Sequence, residues 1–180
     1  MSINCPYWKT YSDSGSFYLG SHSVICRDGA AISFRDENGK IVARIILAID
    51  RESQKTAEDF ILSIKCSKSG RFDFESHDRN FALLKTGSNR LKMTLVRMEY
   101  PYELSDSMRS EYSDYLRRNG GRAGRMLIED NRVEMLSKLC EMNTFTKNAL
   151  KELIEYARIW NSTAATAMLL EYNNRFFSKL

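Results

Sequence analysis

Over the first hundred residues apolar and polar positions alternate with period two. Val24 and Cys26 share a phase, and Ile32 and Phe34 repeat it against polar Ser33 and Arg35. That period predicts strands, because successive side chains of a strand point to opposite faces. DENGK (36–40) follows, and Asn38-Gly39 is a hairpin signal because both central residues of a type I′ turn need positive φ. IVARIILAI (41–49) is apolar on both faces and predicts a strand central in its sheet. Phe60, Leu62, Ile64 and Cys66 alternate with Ile61, Ser63 and Lys65, and Phe72 and Phe74 form a shorter strand after Ser69-Gly70. NFALLKTGSNRLKMTLVRMEY (80–100) predicts a further hairpin turning at Gly87-Ser88-Asn89. Its second strand carries Leu91, Met93 and Leu95 inward, then shifts phase to Val96, Met98 and Tyr100, as at a β-bulge.

After Pro101 the period becomes helical. Residues 105–119 place Met108, Tyr112 and Leu116 on one stripe, and residues 128–143 do so with Val133, Leu136 and Cys140. Residues 144–161 align Leu150, Leu153, Ile154 and Ala157, and residues 162–177 align Ala165, Met168, Leu169, Tyr172 and Phe176. Thr144 or Thr146, and Ser162, are candidate N-caps. Short joints at Asn143-Thr144 and Asn161-Ser162 predict that the last three helices are antiparallel neighbours. Trp160 ends a helix and is assigned to the core. The expected fold is therefore α+β. An antiparallel β domain over 1–104, of six to seven short strands or a half-open barrel, precedes a helical region over 105–180 with a bundle of three to four helices. No internal repeat covers the chain.

Composition narrows the class. With 180 residues, 43% apolar and 28% charged, the chain suits one sizeable domain or a modest domain with a helical appendage. No apolar run reaches the ~18–20 residues of a membrane span. The N-terminus MSINCPYWKTYSDSGS has neither a basic n-region nor an apolar h-region, so a cytoplasmic location is expected. Cys5, Cys26, Cys66 and Cys140 lack the close pairing that converging zinc ligands need, and only His22 and His77 could join them. No metal and no cofactor is expected; Cys26, Cys66 and Cys140 are assigned as reduced core residues.

Charge changes the picture more. The net +4 arises entirely within residues 85–128, where nine basic side chains face five acidic ones; residues 1–84 and 129–180 each balance. RRNGGRAGR (117–125) lies at the centre of this segment, between two expected helices. Arginine offers bidentate contacts to phosphate and glycine permits close backbone approach, so the stretch could grip a polyanion. The plainer reading is a basic joint with a helix C-cap at Gly120. Arg117, Arg118, Arg122 and Arg125, with Arg90, Lys92 and Arg97 on the polar faces of the preceding strand, are the candidate contacts to a partner or nucleic acid.

Little else suggests a reaction. GGRAGRM (120–126) lacks the lysine, the hydroxyl and the preceding strand of a P-loop. His77 in ESHDRN (75–80) and His22 in GSHS (20–23) read as surface residues of polar turns rather than triad members. Glu75 with Asp78 is too small a carboxylate set for a two-metal nuclease. Tyr7, Trp8, Tyr11, Phe17 and Tyr18 crowd the N-terminus, where edge-strand packing, base stacking and interface anchoring all suit them.

ALKELIEYARIWNSTAATAMLLEYNNRF (149–176) is similar to the helical tail of many uncharacterised Firmicutes and phage proteins, in which an ELIEYA helix precedes an A-x-LLEY-N helix. It also resembles one ankyrin helix pair. In size, style and these helices the chain resembles the phage-encoded anti-CRISPR inhibitors. That resemblance implies a non-enzymatic inhibitor docking on a nucleic-acid-handling nuclease complex, such as a CRISPR effector with its guide RNA, and blocking DNA binding or cleavage. A direct nucleic-acid-binding module acting through residues 85–125 is the alternative, with steep salt dependence as its signature. No membrane partner is expected; a dimer is permitted.

Overall fold

The computed structural model describes residues 40–46, 74–84 and 87–177, with the backbone alone at 9–10, 16–19, 22–25, 31–35, 42 and 46. The chain divides into two compact units, Met1–Met108 and Arg109–Leu180.

In the first unit, β1 (Lys9–Thr10), β2 (Ser16–Leu19), β3 (His22–Ile25), β4 (Ala31–Arg35) and β5 (Ile41–Ile46) pair antiparallel in chain order. β4 and β5 form the pair around residues 36–40 that Asn38-Gly39 predicts, with Ile32 opposite Ile45, Phe34 opposite Ala43 and an irregularity at Phe34/Arg35. Among the described residues β5 is the last strand in this order. Its Ala43 and Ile45, two residues apart on one face, are fully buried. A helix packed on β5 accounts for its apolarity as well as a second neighbouring strand would.

That helix belongs to the main correction. The N-terminal sheet of six to seven strands and the half-open barrel are overturned: helix dominates the described residues, and from residue 74 onward they contain no strand. Phe74, expected in a strand, opens α1 (Phe74–Arg79); a 3-10 turn (Asn80–Leu83) follows, and α2 (Gly87–Glu99) replaces the expected hairpin. The expected strand at 60–66 and Phe72 lie outside the described residues.

The misreading has a physical source. α2 buries Leu91, Thr94 and Leu95 on one i, i+3, i+4 stripe, and Met93, Val96 and Arg97 on the next. Two adjacent helical stripes, read at period two, look like an alternation that slips by one residue. The supposed bulge is the second stripe.

Five helices follow Pro101: α3 (Asp106–Arg118), α4 (Gly120–Glu129), α5 (Val133–Glu141), α6 (Lys147–Ile159) and α7 (Thr163–Phe177). The boundary between the units falls within α3. α4, which occupies much of the expected joint, exceeds the predicted three to four helices. It packs on α5 and α6, while α7 packs on α5 and α6, so α4–α5 and α6–α7 form two associated helix pairs.

One turn recurs between these helices. Asn131, Asn143 and Asn161 have φ of 52°, 52° and 53°. Each donates its N–H three residues back, and the next residue donates five back: Arg132 to Leu127 O, Thr144 to Leu139 O and Ser162 to Ala157 O. This satisfies carbonyls that a helix end leaves open, and asparagine tolerates the left-handed conformation better than most residues. Thr146 caps α6, its Oγ1 accepting from Ala149 N at 3.2 Å. Leu127, Leu136, Leu139, Leu150, Leu153, Ala157, Ala165 and Leu169 are fully buried between the pairs.

Candidate partner interface

RRNGGRAGR is neither a phosphate loop nor a flexible joint. Asn119 alone separates α3 from α4, and Gly120 is the first residue of α4 rather than a cap. Gly120 and Gly124 recur at i, i+4 on the buried face. A Cβ on Gly120 would lie 2.8 Å from Thr144 O, and one on Gly124 would lie 2.5 Å from Leu153 Cδ1. These glycines allow α4 to approach α6 and the turn before it. Only Gly121 faces open space. The arginines therefore stand on a packed scaffold.

The seven candidate cations separate by environment. Arg97 is a correction: it is fully buried. Its Nε and Nη2 donate to the two carboxylate oxygens of Asp78 at 2.8 and 2.9 Å, and it also donates to Tyr100 O and Tyr102 O. The Phe74 ring lies 5.0 Å from its guanidinium carbon, so its charge is used inside the unit. Arg90 is half-buried, donates to Leu84 O and Ala82 O, and lies over Phe81. Placed in a helix rather than a strand, it ties down the 3-10 turn. Lys92 is exposed.

In the second unit Arg117, Arg118, Arg122 and Arg125 are all exposed. Arg117 pairs with Asp114 at 2.8 Å, and Arg118 Nε donates to the Asp114 carbonyl. The Arg122 side chain makes no hydrogen bond or ion pair among the described residues. Arg125 reaches across to α6, donating to Glu152 at 3.2 Å and lying over the Tyr156 ring at 5.4 Å. The expected strip over 85–125 is thus divided between the two units. Arg117, Arg118 and Arg122 remain as exposed cations in the second.

The α4–α6 surface carries more than arginine. Tyr156 donates its hydroxyl to Glu129, and that hydrogen bond raises its pKa. Its ring lies 6.0 Å from Trp160. Arg125, Lys151, Glu152, Glu155, Tyr156 and Ile159 line a hollow of about 440 Å³. Ile159 is 75% exposed and Trp160 51%, so Trp160 is not the core residue expected. The sequence held a signal: Ile159 falls off the stripe of Leu150, Leu153, Ile154 and Ala157, on the opposite side of α6.

Histidine and cysteine chemistry lies inward. His77 is buried on α1 rather than exposed in a turn. Burial lowers its pKa from 6.5 to about 4, with Asp78 opposing the shift and Arg97 adding to it. His22 begins β3, where the backbone alone is described. Cys140 is a free, buried thiol whose Sγ lies 3.7 Å from Met168 Sδ, and burial pushes its pKa up to about 12. Cys5, Cys26 and Cys66 lie outside the described residues. Among the described residues no three His, Cys, Asp or Glu side chains are grouped to hold a metal, and no helix is long and apolar enough to cross a membrane. No family model, curated protein or solved structure matches the chain.

Proposed function

We propose that this chain is a non-enzymatic binding protein of the inhibitor or adaptor type, docking on a nucleic-acid-handling nuclease complex through the arginines of its second unit. The observation that carries the reading is the exposure of Arg117, Arg118 and Arg122 on two helices separated by one residue. Gly120 and Gly124 seat α4 closely enough to hold its part of that array in place. Guanidinium groups meet phosphate or carboxylate bidentately. The anti-CRISPR resemblance points to a guide-RNA-loaded effector in the bacterial cytoplasm as the partner. There the arginines would occupy or obstruct a nucleic-acid contact.

Cleavage of target DNA by a guide-loaded CRISPR effector, with and without the protein, tests the reading. The wild type should suppress cleavage, and Arg117→Ala/Arg118→Ala/Arg122→Ala should require about tenfold more protein for the same effect, the loss of roughly 1.4 kcal/mol of binding. Cleavage unaffected by the wild type across a panel of effectors would end the reading. Arg122, free of ion pairs among the described residues, also favours direct binding to nucleic acid; that reading requires binding to bare DNA or RNA that weakens steeply with salt.

A further inference from the structure

We propose that the turn over residues 101–104, which leads into α3, is a strained latch held shut by the buried guanidinium of Arg97, and that it opens without unfolding of the first unit. This inference does not rest on the arginine reading.

The strain sits at Glu103. Four non-glycine residues among the described ones have positive φ. Three are the asparagines that close α4, α5 and α6; the fourth is Glu103, at 49°. Leu104 donates its N–H to Pro101 O at 3.2 Å, so Tyr102 and Glu103 are the central residues of a β-turn. Positive φ at the second central position favours glycine, because a Cβ crowds the backbone there. Glutamate lacks the short polar side chain that lets asparagine bond locally in this conformation. Glu103 is exposed, and its side chain makes no hydrogen bond or ion pair among the described residues. Nothing in the residue itself favours the conformation, so its surroundings impose it.

Those surroundings are a buried clasp. Arg97 Nη1 donates to Tyr100 O at 3.1 Å and Nη2 to Tyr102 O at 3.0 Å, one carbonyl before the turn and one inside it. Asp78 holds the same guanidinium through Nε and Nη2. Tyr102 packs edge-on to Phe74, with ring centroids 5.4 Å apart, and Leu104 is buried. The residues on both sides of Glu103 are fixed, and Glu103 takes up the strain. Arg97 is the positioning residue, since a planar guanidinium serves a carboxylate and two carbonyls at once and an ammonium does not.

The turn decides where α3 begins. Ser105 follows Leu104 directly, and its Oγ accepts from Met108 N at 3.3 Å, the N-cap bond of a helix that starts at Asp106. When the latch opens, Glu103 returns to negative φ, Leu104 leaves its buried place, and the cap bond is lost with the first turn of α3. The last turn of that helix carries Arg117 and Arg118, so the latch sets the length of an element of the candidate interface.

The test is amide exchange followed by NMR on the full chain, with rates corrected for their intrinsic values. The Leu104 and Met108 amides should share one opening equilibrium, about tenfold or more above that of the Leu95 amide in the buried middle of α2. Arg97→Lys should raise it a further tenfold or so, through the lost charged hydrogen bonds. Glu103→Gly removes the strain and should lower it about threefold, in wild type and again in Arg97→Lys. Glu103→Ala removes the carboxylate but keeps the Cβ, and should not lower it. The wild-type pattern and the Glu103 variants decide the matter even if Arg97→Lys unfolds. The latch is overturned if Leu104 and Met108 open no more often than Leu95, or open independently of each other. It is equally overturned if Glu103→Gly protects them no better than Glu103→Ala, or if a folded Arg97→Lys protein exchanges them as wild type does.

Discussion

Gly124 and Leu153 meet so closely that a methyl group at 124 would come within 2.5 Å of one Leu153 methyl and 2.7 Å of the other. Leu153 is fully buried. Three residues earlier on the same helix, Gly121 has nothing within 4 Å of its missing Cβ. Alanine favours a helix over glycine by about 1 kcal/mol at either site. At 121 that gain stands alone, so Gly121→Ala should stabilise by about 0.5–1 kcal/mol. At 124 overpacking of about 1–3 kcal/mol opposes it, and Gly124→Val should be clearly destabilising. Urea denaturation should show opposite signs; equal stabilisation by Gly121→Ala and Gly124→Ala would return the glycines to a loose joint.

The buried Arg97–Asp78 pair supports a second prediction. Both side chains are 1% exposed, and Arg97 also holds the Tyr100 and Tyr102 carbonyls. Asp78→Ala leaves a buried guanidinium without its counter-ion and should cost about 3–5 kcal/mol. Asp78→Leu with Arg97→Met should lose less than either single change, since no orphan charge remains. Denaturation of the four proteins decides this; additive losses would mean the pair acts as two independent packing residues. Loss of binding in Arg97→Ala would in this account come from damage to the first unit, visible as a lower melting temperature.

His77 gives a pH dependence of definite sign. Its pKa falls from 6.5 to about 4 because burial excludes the charged ring. Below pH 6.5 the unfolded chain takes up a proton that the folded chain refuses, so stability present above 6.5 drains away as pH falls towards 4. The loss approaches about 3 kcal/mol, at 1.36 kcal/mol per pH unit. The urea midpoint of the wild type should fall across that interval more steeply than that of His77→Gln. Parallel curves would place His77 in solvent.

The surface pairs should matter little. Arg125–Glu152 and Arg117–Asp114 are both about half exposed, where such pairs contribute about 0–1 kcal/mol. Arg125→Ala should therefore leave the melting temperature within a few degrees while altering the Tyr156 and Trp160 environment seen by fluorescence. A large loss of stability would make Arg125 a structural residue and remove it from the binding surface.

The sequence disclosed the second unit better than the first, for reasons of burial. α6 and α7 bury one stripe each, so the spacing of Leu150, Leu153, Ile154 and Ala157 marked α6 directly. α2 is buried on two stripes, and its polar members Thr94 and Arg97 lie inside, where a pattern reader takes them for the solvent face. α4 was hidden by its own glycines, which read as breakers when considered locally. Their role depends on Thr144 and Leu153, 24 and 29 residues on. Arg117, Arg118 and Arg122 were legible as surface cations, whereas Trp160 was credited to the core because it is apolar and ends a helix.

The central claim is that Arg117, Arg118 and Arg122 form a binding surface for a nucleic-acid-handling complex. Its most direct test is the affinity of wild type and the triple-alanine protein for a guide-loaded effector, and for bare DNA and RNA, at ~50 and ~200 mM salt. The account predicts that the wild type retains the effector complex at both salts, binds bare nucleic acid weakly, and loses about tenfold in affinity for the complex in the triple variant. Equal affinity of wild type and variant for the complex, at both salts, would contradict it.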